Sequence, residues 1–173
     1  MTPQTQLPER VEEELRILSL DYATAVDDRD GERLSQLFVA DGELVVPNFP
    51  DDLGPVITRA GHRALRRVPE GLSVYDRTLH QLSNHRYSVD GDQARGEVQC
   101  VAHHLSVAAD QTAAVGPAGS VATDVVWFIR YRDDYRRTEA GWRFVRRELH
   151  LQWVEEHPVR ALGPAQGGTP NGD

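Results

Sequence analysis

From Glu9 onward, apolar side chains recur at Val11, Leu15, Leu18, Tyr22 and Ala25, at steps of four and three. That spacing lays one apolar stripe along a helix. The acidic stretch Asp27-Asp28-Arg29-Asp30-Gly31 breaks the stripe and is expected to end the helix. A shorter helix is predicted next, with Asp30 as its cap and Leu34, Leu37 and Phe38 on its inner side. Residues 42–47 read as a short strand, residues 48–55 as a loop of Pro, Asp and Gly, and residues 61–67 as a third short helix.

The period then changes. Residues 78–89 and 94–107 are strand-like and flank Asp90-Gly91, a pair suited to a tight hairpin turn. A connection rich in Ala, Gly and Ser covers residues 108–120. Two more long strands, 124–138 and 142–154, flank the turn Glu139-Ala140-Gly141. Residues 1–8 and the Pro- and Gly-rich residues 157–173 are expected to be flexible tails, which leaves one domain over residues 9–156. Helices first and long antiparallel strands afterwards predict a segregated α+β fold: a cone-shaped, curved antiparallel sheet packed on the N-terminal helices. The concave side of such a sheet is either filled by side chains or left as a pocket.

Composition narrows the function. In 173 residues the formal net charge is −8, a field that repels nucleic acid and anionic membrane, and acids interrupt the arginine clusters RYRDDYRR and FVRRELH. No apolar run reaches the roughly 20 residues of a membrane span, and MTPQTQLPER carries no apolar signal core. The single cysteine, Cys100, excludes an intramolecular disulfide framework and fits a reducing cytoplasm. There is no nucleophile elbow and no Gly-rich phosphate loop, and the seven histidines show none of the tight metal-ligand spacings. The expectation is a protein without metal, flavin or nicotinamide.

The order Tyr22-Ala-Thr-Ala-Val-Asp27-Asp-Arg-Asp30, then Leu37-Phe38-x-x-Asp41, resembles the opening of the nuclear transport factor two-like superfamily, in its SnoaL-like branch. So do Thr78-Leu79-His80-Gln-Leu-Ser-Asn84 and Val89-Asp90-Gly91-Asp92-x-Ala94, and the closing pair Tyr131-x-Asp133-x-Tyr135-x-Arg137-Thr138 and Gly141-Trp142-Arg-Phe-x-x-Arg147. The resemblance spans roughly Glu9 to Trp153. Within the branch it is nearest to scytalone dehydratase, bile-acid 7α-dehydratase and hexachlorocyclohexane dehydrochlorinase. It implies a cofactor-free elimination in an apolar cone, in which a strand histidine removes a proton and an aspartate at the end of the first helix orients it. Carried over by motif position, the histidine is His80 and the aspartate Asp27. Tyr22 then holds substrate, and Arg147 and a third-strand ionisable group, His104, complete the site.

The residues themselves agree in part. His80 alternates with Thr78 and Leu82 and shares their sheet face, and a neutral imidazole is a suitable base near pH 7. A carboxylate on its other nitrogen would fix the tautomer and stabilise the imidazolium, while Arg147 or His104 would stabilise developing negative charge. Other readings stay open: Asp27 as a helix-end residue, Tyr22 as core, Arg147 as an ion-pair residue. Of His103 and His104 only one enters the cone, as of Arg146 and Arg147. His62, His85, His150 and His157 read as surface or structural. The expected activity is that of a lyase acting as a dehydratase on a small, mostly apolar cyclic substrate, or an isomerase or polyketide-type cyclase with the same pocket. The contrasting class is a non-catalytic β subunit of a ring-hydroxylating dioxygenase. A homodimer is expected through an outer sheet face that includes Val125, Trp127, Ile129 or their neighbours.

Overall fold

The computed structural model describes residues 9–107 and 120–161. Helix α1 spans Glu9–Asp27 and buries the stripe its sequence writes, with Leu15, Leu18, Tyr22 and Ala25 all inside the core. It stops at the acidic stretch. Arg29 takes a left-handed φ of 56°, and the Asp30 amide donates back to the Ala25 carbonyl at 2.9 Å, closing the last turn. Asp30 then caps α2 (Gly31–Gln36), its side chain accepting from the Arg33 amide at 2.9 Å. Helix α2 is shorter than expected, because Leu37 caps its end and Phe38 already begins the next strand.

The chain continues as β1 (Phe38–Asn48), β2 (Asp52–Ala60), α3 (Gly61–Leu65) and a 3-10 turn at Val68–Leu72. Four long strands follow: β3 (Arg77–Asp90), β4 (Gln93–Val107), β5 (Ser120–Thr138) and β6 (Gly141–Ala161). Strand β2 replaces much of the loop expected at residues 48–55. Its Gly54 and Pro55 argue against a central strand, but β2 lies at the sheet edge, where a missing amide donor is tolerated. Strand β6 continues to Ala161, past the expected domain end at residue 156, because it stays paired with β5 as far as Ser120. The remaining tail residues, 1–8 and 162–173, and most of the expected 108–120 connection lie outside the described residues.

The six strands form one curved, unclosed sheet in the order β2-β1-β6-β5-β4-β3. It is mixed where a wholly antiparallel sheet was expected, since β1 and β6 run parallel. These two strands are joined through the rest of the fold and not by a hairpin, so no tight turn forces them antiparallel. Helix α1 packs across the concave side, against β3. Along β5 the alternation puts Trp127 and Ile129 on that concave side. Of the residues expected on the outer face (Val125, Trp127, Ile129 or their neighbours), it is the neighbours that lie there, and Trp127 and Ile129 face inward. The outer face carries Val126 and Phe128, and Phe128 stacks on the half-exposed Trp153 at 4.2 Å. No helix among the described residues is long and apolar enough to cross a membrane.

Gly91 and Gly141 take positive φ, 58° and 98°, at the two long hairpins, a region L side chains occupy at a cost. Gly141→Ala is expected to destabilise the fold by about 1–2 kcal/mol in a urea melt. An unchanged midpoint would show that the turn relaxes freely.

Candidate active site

Asp27 is the last residue of α1, and its carboxylate reaches the edge strand β3. One oxygen meets His80 Nδ1 at 2.7 Å, and the other accepts the His80 backbone N–H at 2.8 Å. A strand with a neighbour on only one side leaves amides unpaired, and Asp27 satisfies one of them while gripping the ring of the same residue. With Nδ1–H donated to the carboxylate, His80 Nε2 is left as an acceptor. The ring is 7% exposed. Burial works to raise the Asp27 carboxyl, but the bonds from the His80 ring and amide outweigh it and hold Asp27 below the usual carboxylate range.

His104 enters from β4. It pairs in register with Thr78 while His80 pairs with Ala102, so the two rings lie diagonally on one face, 5.9 Å apart and edge-on. Its Nδ1 lies 3.0 Å from the Val125 carbonyl and donates to it, again leaving Nε2 as the acceptor. Burial, with the neighbouring His80, lowers its pKa to about 4, against a smaller opposing effect of the Val125 bond. His104 is therefore neutral at pH 7. It offers a hydrogen-bond acceptor there and no positive charge. Tyr75 and Trp127 each pack on its ring with centroids 4.9 Å away.

His80, His104 and Trp127 border a cavity of about 670 Å³. Its walls are Tyr22, Val26, Leu44, Trp127, Ile129 and Leu149, with His80 and His104 on the sheet side, and Arg59, Arg67 and Glu70 among its remaining lining residues. Three other clefts of about 520–550 Å³ are lined largely by charged and polar side chains and lack the histidines. Asp27 stands behind His80 and does not line the cavity. Tyr22 does line it, with its ring 5.9 Å from Tyr131 and 6.0 Å from Phe144. Burial pushes its phenol well above the ordinary tyrosine value, so the hydroxyl stays a neutral donor.

Arg147 is placed elsewhere. It is fully buried, but it does not line the cavity. Its guanidinium meets the Asp133 carboxylate with two bonds of 2.8 Å and lies 4.2–4.3 Å from the rings of Tyr22, Tyr131 and Phe144. Tyr135 donates to the same carboxylate at 2.7 Å. Arg147 therefore stands under the wall that carries Tyr22, and contact with a molecule in the cavity, as expected of it, is not what the geometry offers. Arg146 lies on the outer face between Glu43 and Glu148. His103 also points outward and bonds Asp124 at 2.7 Å. His62, His85, His150 and His157 bond partners outside the cavity, at Phe38, Tyr87, Glu148 and Glu155. Trp127, Tyr75 and Arg59 are the site residues that the sequence reading missed. Spacing carried no signal for Trp127, because residues 125–129 are all apolar.

Two outcomes follow from the buried polar groups. Arg147→Ala leaves Asp133 buried and unpaired and should cost about 3–5 kcal/mol. Arg147→Lys, which cannot reproduce the two-bond fork, should recover only part of that in the same denaturant titration. His104 is held neutral in the fold while the unfolded chain takes a proton near the ordinary histidine value, so its contribution is complete above that value. It declines as the pH falls towards about 4. The loss should reach on the order of 3 kcal/mol, and His104→Phe should flatten that limb of the stability–pH curve.

The SnoaL-like domain model matches residues 10–148. A candidate aromatic ring hydroxylase from Novosphingobium aromaticivorans superposes with a TM-score of 0.68 at 21% identity, covering 89% of this chain and 96% of that one. A candidate scytalone dehydratase from the same organism gives 0.64 at 24% identity, covering 89% and 92%. A type 3 hexachlorocyclohexane dehydrochlorinase from Novosphingobium barchaimii gives 0.68 at 16% identity, covering 90% and 97%. At such identities the structures establish the shared fold alone. The family match covers most of the chain, and the chain belongs to the SnoaL-like domain family, within the nuclear transport factor two-like superfamily.

Proposed function

We propose that the protein is a lyase that eliminates water, without a cofactor, from a small, mostly apolar cyclic substrate bearing a hydroxyl two carbons from a carbonyl. The observation that carries this reading is the Asp27–His80 pair at 2.7 Å, with His80 in the wall of a largely apolar cavity and Asp27 behind it. Dehydratase and dehydrochlorinase neighbours in the same fold add support.

His80 Nε2 takes the proton next to the carbonyl, and the C–H electrons pass into an enolate. Asp27 stabilises the imidazolium so formed. The Tyr22 hydroxyl donates to the enolate oxygen, and neutral His104 Nε2 accepts from the substrate hydroxyl and aims it. The enolate collapses to the conjugated alkene, the C–O bond breaks, and the leaving hydroxyl takes the proton from His80 as water. The base is regenerated and every proton is accounted for. An apolar wall strengthens each of these polar contacts by excluding water.

The same pocket serves an isomerase or cyclase if the enolate is reprotonated or attacks within the substrate. A cyclic β-hydroxyketone panel, followed by enone absorbance, separates these outcomes. The non-catalytic subunit reading predicts no turnover, and copurification with a larger iron–sulfur subunit. We also infer a homodimer through the outer sheet face, where Leu79 and Trp153 are half-exposed beside Val101 and Phe128. The cytoplasm is the proposed compartment, on the single buried thiol Cys100.

His80→Ala should lower kcat by about 10²–10⁴, or roughly 3–5 kcal/mol of barrier. Asp27→Asn should lose kcat with little change in KM, and the double variant should be scarcely worse than His80→Ala alone. Additive losses would give Asp27 an independent role. Dialysis against a strong chelator should leave turnover intact. In sedimentation, Trp153→Glu should convert a dimer to a monomer, and a wild-type monomer at high micromolar concentration would refute the pairing.

A further inference from the structure

Strand β2 carries a charge where its register calls for an apolar residue. Leu44 is opposite Arg59 on one side and Arg147 on the other, so these three positions form one row on the concave face. Leu44 and Arg147 are buried, whereas Arg59, on the edge strand, is exposed and lines the cavity. Among the described residues Arg59 makes no ion pair. Arg67 lines the same cavity from the segment after α3, and among the described residues its one carboxylate contact is Glu70 at 3.2 Å, three residues away and largely exposed. An exposed pair of that kind is worth little and exchanges its partner readily.

The interior contrasts with this rim. Its walls are apolar, His104 is neutral, and the Asp27 carboxylate is already engaged by His80. Two arginines therefore border the cavity at its exposed side and not in its depth: Arg59, with no ion pair among the described residues, and Arg67, whose partner Glu70 is the one acid among the lining residues. They do so on a chain of net charge −8, whose overall field works against the approach of an anion. Two arginines with planar, multi-donor forks suit a carboxylate.

We propose that Arg59 and Arg67 bind a carboxylate appended to the substrate, so that the cavity takes an amphipathic acid: apolar ring inward against Trp127 and the histidines, carboxylate held at the rim. This rests on the cavity being the substrate site, and it determines specificity and orientation, not the chemical step.

Calorimetric titration with 2-naphthylacetate and with its neutral carboxamide, 2-naphthylacetamide, tests it. Wild type should prefer the acid by about tenfold or more, the size expected of one charge-assisted contact. The preference should shrink as salt rises. Arg59→Gln and Arg67→Gln should each reduce it, and the double variant should bind acid and amide alike with amide affinity unchanged. His80→Ala should keep the acid preference, so loss of turnover and loss of anion recognition fail separately. Equal affinity for the two ligands in wild type, no binding of either, or a preference that survives in the double variant would overturn the proposal.

Discussion

The carboxylate of Asp27 ties three levels of this structure together. It ends α1, it accepts an amide that the edge strand β3 would otherwise leave unpaired, and it fixes the ring of the residue bearing that amide. Helix position, strand position and histidine tautomer are therefore set by one group. A histidine on a free edge strand would otherwise be among the less restrained side chains of the fold. Here it is held from two directions, with its remaining nitrogen at a cavity wall.

A second polar cluster supports the first at a distance. Arg147 and Asp133 are buried together under Tyr22, with Tyr135 completing the carboxylate and three aromatic rings around the guanidinium. Burying such a pair contributes little net stability, but breaking it is costly, so it fixes one arrangement of the β5–β6 floor. The floor in turn positions the tyrosine wall. His104 shows the opposite use of burial, since loss of solvation keeps it uncharged and makes it an acceptor.

Much of this was legible in the residues, for definite reasons. The α1 stripe has a single period and one buried face, so its burial follows from spacing. The hairpins announce themselves by Gly91 and Gly141. His80 was placed by alternation with Thr78 and Leu82 on a strand whose exposure does alternate. Strand β5 offers no such contrast between residues 125 and 129, where Val125, Val126, Trp127, Phe128 and Ile129 are all apolar. Its parity was therefore silent, and spacing left open which of these residues or their neighbours face outward. Strand β2 was hidden by Gly54 and Pro55, residues that its edge position tolerates. Arg147 carried the right register but the wrong neighbourhood. Sequence spacing shows which face a side chain takes, but not that Asp133 on the next strand claims it.

The central claim is that Asp27 holds His80 with its proton on Nδ1 and a free Nε2 at the cavity. Long-range proton–nitrogen NMR correlations of the histidine rings test it most directly, recorded near pH 7 on the wild type and on Asp27→Asn. The account predicts that wild-type His80 carries its proton on Nδ1 with Nε2 unprotonated, and that Asp27→Asn disturbs this tautomer while His104 keeps its own. A wild-type His80 protonated on Nε2 alone, or a tautomer indifferent to Asp27→Asn, would contradict it.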